Sequence, residues 1–327
     1  MDKPPLYPLT FQPRFKERVW GGRSLETIYG KRLPPNVPIG ESWEISDRPG
    51  DESVVANGPL AGRTLRSLME ERASEILGRA APTHTGRLPL LCKILDARER
   101  LSLQVHPPAR ASHLGEPKTE MWYIAQADPG AELFAGLKSG VTRAQFEDAI
   151  SSGTVARCVH RIPVKTGDAM FLPSGRVHAI GAGLVIFEIQ QNSDTTFRVD
   201  DWGRMGLDGQ PRELHVTQSL HSIDFDDVEP ALIASEPAML DGLAVRPLVR
   251  DPLFTVDLIE AESGATMRPA PSQARVVACL SGRVKATGGG VSQTIAAGDF
   301  CLLPASVPDI AIEASSGARL LLVEAAR

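Results

Sequence analysis

"GDAMFLPSGRVHAI", Gly167 to Ile180, returns 131 residues later as "GDFCLLPASVPDIA", Gly298 to Ala311. Gly, Asp, Leu and Pro recur at matching offsets. Each copy reads as a Gly-Asp turn, a short apolar strand, a Pro turn and a second strand. Two copies of one β unit predict two β-barrel or jelly-roll domains. The copies part at their twelfth residue, which is His178 in the first and Asp309 in the second, and no histidine follows His221. Any imidazole chemistry therefore belongs to the first half.

The rest of the chain fits the same architecture. Strand-length runs such as "RLPLLCKIL", "EMWYIAQA", "GLVIFEIQ", "LFTVDLIEA" and "ARLLLVEA" are bounded by Pro, Gly, Asn or Asp. Two segments read as helix. Thr64 caps "TLRSLMEERASEILG", which Gly78 ends, and Thr142 with Gln145 makes a capping box for "TRAQFEDAISSG". The fold expected is mainly β, with two jelly-roll domains and a few helical insertions. The acidic stretch Asp224 to Leu240 is taken as the link, giving domains at 1–230 and 231–327.

Composition excludes several classes of function. Of 327 residues, 42% are hydrophobic, enough for a sizeable core. The net charge is −5, with no Lys/Arg run longer than two, which argues against nucleic acid or an anionic membrane as partner. Cys92, Cys158, Cys279 and Cys301 are far apart and form no CxxC pair. Buried thiols in a reducing compartment are the expectation, and with no apolar leader the protein reads as soluble and cytoplasmic. Oligomeric state is not legible.

Working outward from His178 brings in "LSLQVHPP", Leu101 to Pro108. Its residues alternate, so Ser102, Gln104 and His106 share one face of a strand, each about 7 Å from the next. Taken alone this is as well read as a solvated face. Glu120 follows, where a polar loop enters the apolar strand "EMWYI". Gly167, Pro173, Gly175 and His178 fit the G(X)5PXG(X)2H pattern of the second cupin motif. Gln104-x-His106 and Glu120 stand where the first cupin motif has His-x-His and Glu. An amide, two imidazoles and a carboxylate suit zinc, and also iron, manganese or nickel. Two imidazoles and one carboxylate also resemble the iron oxygenase triad, so these residues alone do not settle the reaction and leave an iron cupin oxygenase and a non-catalytic sugar-binding cupin open.

A wider resemblance narrows this. "LPLLCKILDARERLSLQVHP", "KTEMWYIAQADPGAELFAG" and the run from Gly167 to Arg204, with "VWGG" and "IGESWEIS" nearer the N-terminus, resemble the type I mannose-6-phosphate isomerases in their short bacterial form. The resemblance implies one zinc ion per chain on Gln104, His106, Glu120 and His178. It also implies interconversion of mannose 6-phosphate and fructose 6-phosphate through an enediol, with Arg198 as the catalytic arginine. Lys118 is a candidate base, provided that burial and the metal's charge lower its pKa. Glu188, polar within "VIFEIQ", is a candidate acid/base or sugar ligand. Ser102, Arg204 and Lys93 are expected on the substrate, the first two at its phosphate. Two departures are Asp200, where an aromatic is expected, and Ala182, where the cupin motif ends in Asn.

Overall fold

The structure is a computed structural model describing residues 4–315 and 317–325. Contacts divide the chain into two compact units. One takes residues 15–42 and 93–233. The other takes the described residues up to 14, then 43–92 and 234 onward. The boundary expected after residue 230 thus falls three residues short of the division after 233. However, 43–92, with the helix capped by Thr64, is grouped with the C-terminal segment and not with the N-terminal one.

Most residues of two open sheets belong to the first unit. The six-stranded sheet draws on β1 (Arg14–Gly22), β2 (Ile39–Ile45) and β3 (Leu90–Ala97). The five-stranded one begins with β4 (Leu103–Val105). After these come β5 (Glu120–Ala127), β6 (Glu132–Leu137), β7 (Val159–Pro163), β8 (Ala169–Leu172), β9 (His178–Ile180), β10 (Leu184–Gln191) and β11 (Phe197–Asp200). The strand orders are β8-β5-β10-β3-β2-β1 and β11-β4-β9-β6-β7. Many neighbours are distant in sequence, as a jelly roll requires.

Period-two alternation decides what each strand turns inward. Trp122 and Ile124 of β5, Met170 and Leu172 of β8, Ile186 of β10 and Leu95 of β3 meet Leu133 and Ala135 of β6 and Ile180 of β9 in one apolar cluster. The two sheets therefore face each other across it. The back of the five-stranded sheet buries Leu103, Val105, Phe134, Val177, Ala179, Phe197 and Val199 with Phe146 and Ala149 of the helix Arg143–Ser151. That helix has the expected capping box, with Thr142 and Gln145 exchanging hydrogen bonds.

In the second unit, β12 (Ala238–Leu240), β13 (Leu243–Arg250) and β14 (Phe254–Ala261) are followed by β15 (Thr266–Met267), β16 (Arg275–Ser281) and β17 (Arg283–Gly288). β18 (Val291–Ala296), β19 (Phe300–Leu303), β20 (Ala311–Ala314) and β21 (Ala318–Ala325) complete it. They form sheets ordered β12-β13-β14-β21-β16-β19 and β15-β20-β17-β18. Thr64 caps the helix Leu65–Leu77 through its hydroxyl, which accepts from the Ser67 amide.

The repeated stretch is one structural element used twice. Gly167 and Gly298 sit at φ +94° and +86°, which glycine adopts without strain. Asp168 and Asp299 each accept from the backbone amide three residues back, Lys165 and Ala296, at 2.9 Å. Gly167 and Asp168 exchange backbone hydrogen bonds with Ile124, as Gly298 and Asp299 do with Cys279. Downstream the copies differ. His178 is buried at the start of β9, whereas Asp309 is exposed in a left-handed turn, φ +55°.

Candidate metal centre

The same alternation that fills the apolar cluster continues along the strands into a polar group. Glu120 precedes Trp122 on β5, Glu188 follows Ile186 on β10, Lys93 precedes Leu95 on β3 and His178 precedes Ile180 on β9. On the five-stranded sheet Gln104 is register partner of His178 on one side and of Arg198 on the other. Leu103 and Val105 turn to the opposite face. The polar side of "LSLQVHPP" is not solvated: His106 is 1% exposed and Ser102 4%.

His106, Glu120 and His178 form a buried group whose ligating atoms all lie within 4.8 Å of one another. Glu120 Oε2 is 3.6 Å from His106 Nε2, and its Oε1 is 3.4 Å from His178 Nε2. Each imidazole has Nδ1 against a backbone carbonyl, His106 on Thr195 at 2.8 Å and His178 on Arg176 at 2.9 Å. A carbonyl only accepts, so both Nδ1 atoms carry the proton and both Nε2 atoms present lone pairs to the carboxylate. His106 Nε2 and Glu120 Oε1 make no hydrogen bond, and Glu120 Oε2 has only the Lys118 ammonium beside it. Buried acceptors facing one another are unstable unless something positive joins them. A divalent cation meets that need, and the fixed Nδ1–H is the outer support metal-binding imidazoles use. The Gln104 amide nitrogen lies 3.3 Å from His178 Nε2, and turning the amide over brings its oxygen to the same place.

From these ligands runs a row of alternating charges. Lys118 Nζ is 3.0 Å from Glu120 Oε2 and 3.9 Å from Glu188 Oε1. Lys93 Nζ is 3.4 Å from Glu188 Oε1 and 3.7 Å from Glu41 Oε2, and Arg18 Nε meets Glu41 Oε1 at 2.6 Å. Both lysines and Glu120, Glu188 and Glu41 are buried. Each ion has an opposite neighbour, which offsets the desolvation that isolated buried charges suffer.

Burial pushes the Glu120 carboxyl up to about 7 against the pull of Lys118, and pushes His178 down to about 4. His106 is likewise held well below the ordinary histidine value, by burial and by Lys118 and His178. Burial also works against the charge on Glu188, but Lys118, Lys93 and the Trp122 indole N–H, 2.9 Å from its Oε2, outweigh it and hold the carboxyl low. For Lys118 burial works against the charge, but Glu120 and Glu188 outweigh it and favour the ammonium.

A cavity of about 630 Å³ is lined by the expected ligand Gln104 and, of the residues expected to bind or act on the substrate, by Ser102, Lys93, Lys118, Glu188 and Arg198. Arg198 donates from Nη1 to the Glu213 carbonyl at 2.7 Å and leaves Nε without a hydrogen bond. Arg204 is not there. Its Nη1 donates to the Arg100 carbonyl and its Nη2 to Asp201, each at 2.7 Å, and it lines a separate cleft with Trp202 and Phe134. Trp202 explains this: its backbone is left-handed, φ +60°, and the chain reverses there. Asp200, the expected aromatic, accepts from the Trp202 amide and so shapes the same turn. In place of Arg204 the cavity wall has Arg212, and Arg18 and Glu41 also enter it. Nothing in local spacing marks Arg212, which lies in an irregular segment.

Comparisons with known proteins agree with this geometry. A profile for the phosphomannose isomerase type I catalytic domain matches residues 9–135. Mannose-6-phosphate isomerase of Streptococcus mutans is 36% identical over 303 residues, 92% of this chain and 93% of that protein. The crystal structure of mannose 6-phosphate isomerase from Bacillus subtilis superposes with a TM-score of 0.88 at 31% identity, covering 97% of this chain and 99% of that one. A mannosephosphate isomerase homologue from Archaeoglobus fulgidus, 20% identical, shares the fold with a TM-score of 0.76. Identity of this level over nearly the whole of both chains makes the present chain a member of the type I mannose-6-phosphate isomerase family.

Proposed function

We propose that the chain interconverts mannose 6-phosphate and fructose 6-phosphate, with a zinc ion held by Gln104, His106, Glu120 and His178. The observation that carries this reading is the buried His106–Glu120–His178 group, joined through Lys118 and Gln104 to a cavity that those two residues line with Glu188 and Arg198. Nitrogen and oxygen ligands without thiolate favour zinc among several divalent metals.

The reaction moves one proton between neighbouring carbons while carbonyl and hydroxyl exchange places. A bound divalent ion supplies Lewis-acid stabilisation of the negative charge that grows on the sugar oxygen. The protein does the rest. Glu188 is ionised at neutral pH and lines the cavity, so it is the group assigned to take up the carbon-bound proton. Its Oε2 is fixed by Trp122, which leaves Oε1 beside Lys93 and Lys118. Lys118, held protonated, donates toward the developing oxyanion. Arg198 keeps a fixed positive charge there and has an unused N–H; such a donor contributes about 3 kcal/mol to the transition state.

A sugar phosphate is a cytoplasmic metabolite, and the four cysteines are free and buried, consistent with a reducing compartment. No helix of the described residues is long and apolar enough to cross a membrane.

The test is a coupled assay of mannose 6-phosphate conversion on protein of measured metal content, with unphosphorylated mannose alongside. Turnover of the phosphosugar, lost on chelation and restored by zinc, is expected. Metal-replete protein that leaves mannose 6-phosphate unchanged would overturn the reading.

A further inference from the structure

Asp201 is held by two arginines that belong to different surfaces. Arg212 grips it in bidentate fashion, Nε to Oδ2 at 2.7 Å and Nη2 to Oδ1 at 2.5 Å. Arg204 reaches Oδ1 from the other side at 2.7 Å. Arg204 faces the separate cleft, and its remaining Nη1 is spent on the Arg100 carbonyl. Arg212 lines the catalytic cavity, with no hydrogen bond recorded from its Nη1. Asp201 itself is 5% exposed, so the pair is fixed where water competes little.

A second observation places positive charge where Arg212 enters. Arg198 is depressed below the ordinary arginine value by burial and, next, by Arg212. Two guanidinium groups close enough to repel, both on the wall of one cavity, are an arrangement that a dianion stabilises. The backbone supports it: Met205 and Pro211 pair as a bridge, the Gly206 amide donates to the Gln210 carbonyl at 2.7 Å, and Arg212 follows directly. The short loop thus closed puts Leu207 and Asp208 on the cavity as well.

The geometry points to Arg212, oriented by Asp201, as the side chain that binds the phosphate group of the substrate, the role the sequence suggests for Arg204. This rests on the cavity being a sugar-phosphate site. Asp201 is a positioning residue: it touches Arg212 and not the substrate. The arrangement makes Arg212 selective for phosphorylated over neutral sugars, and leaves the proton transfer to groups deeper in the cavity.

The experiment uses full-length, metal-loaded protein and compares Arg212→Gln, Arg212→Lys, Arg204→Gln and Asp201→Asn. A charge-assisted hydrogen bond contributes enough to change affinity by about 10- to 100-fold. Arg212→Gln should raise KM for mannose 6-phosphate by that factor, with kcat within about threefold, the signature of lost uniform binding. Competitive inhibition by inorganic phosphate should weaken in step, and Arg212→Lys should recover part of both. Asp201→Asn should raise KM without lowering kcat, which general unfolding would not do. Arg204→Gln should have at least tenfold less effect on KM than Arg212→Gln. An Arg204→Gln effect equal to or larger than that of Arg212→Gln overturns the assignment. So does an Arg212→Gln protein that turns over as wild type and keeps its phosphate inhibition. Wild-type protein inactive on the phosphosugar would instead sink the proposed function, and inorganic phosphate binding by calorimetry would still separate Arg212 from Arg204.

Discussion

His178 and Gln104 are direct partners across the antiparallel pair β9 and β4, and their side chains meet with 3.3 Å between the amide and imidazole nitrogens. On Gln104's other flank is Arg198. Two of the proposed ligands and Arg198 thus form one cross-strand row, where backbone pairing sets their spacing.

Metal retention follows from that row. His178→Ala removes one bare Nε2 and leaves Glu120 and His106 facing each other with too few donors. Metal content by inductively coupled plasma mass spectrometry should fall from about one per chain to under a tenth, an affinity loss of 100-fold or more. Far-ultraviolet circular dichroism should remain that of a β protein. A fully loaded His178→Ala protein would show that the imidazole is not a ligand.

Arg198→Ala separates chemistry from metal. Losing a donor of this kind costs about 3 kcal/mol in the transition state, or on the order of 10²-fold in kcat. The metal content should not change, because Arg198 touches none of the three clustered ligands. Loss of the metal together with activity would assign Arg198 a structural role.

Trp122→Phe probes Glu188, the proposed proton acceptor, without touching its charge. The indole N–H is one of the groups holding Glu188 below the ordinary carboxylate range. Removing it raises the Glu188 pKa, so more of the enzyme is protonated there at a given pH. The acid limb of the kcat/KM profile should therefore move to higher pH, while the alkaline limb stays. An unmoved acid limb would take Glu188 out of the base role.

Asp201 supplies a stability test with a definite sign. Burial works against its charge, but hydrogen bonds from Arg212 and Arg204 prevail and its pKa is lowered. A lowered carboxylate contributes stability above the unfolded value of about 3.9, and that stability is lost as pH falls through the folded value. Asp201→Asn should melt below wild type at pH 7, and the gap should narrow as pH falls below about 3.9 toward the lowered folded value. Acid loss of metal affects both proteins and cancels in the difference. A gap that is constant with pH would show that the carboxylate charge contributes nothing.

Much of the centre is legible in the sequence because sheet chemistry is periodic. Gln104 and His106 are two apart on one strand, and Glu120 and His178 begin two others, so alternation and motif spacing bring them together. What is not legible depends on chain reversals. Arg204 is six residues past Arg198, and a strand continued that far would keep both on one face. The left-handed Trp202 ends that extrapolation and brings in Arg212 instead. Arg18 and Glu41 enter from strands 86 and 63 residues before Gln104, with no local signal that Glu41 pairs with both Arg18 and Lys93. The grouping of residues 43–92 with the C-terminal segment has the same cause. It depends on distant backbone pairings such as Gly78 with Gln273.

The doubled Gly-Asp turn has a consequence for how the centre is assembled. In the C-terminal copy every hydrogen bond of the turn is present, yet an exposed Asp309 stands where the histidine would be. That copy is an internal control: the frame closes with nothing to ligate. His178 is therefore cargo on a turn that folds for its own reasons, and the apoenzyme should reach its native fold before any ion arrives. Loading then becomes a late, reversible event after synthesis, set by metal supply and not by folding.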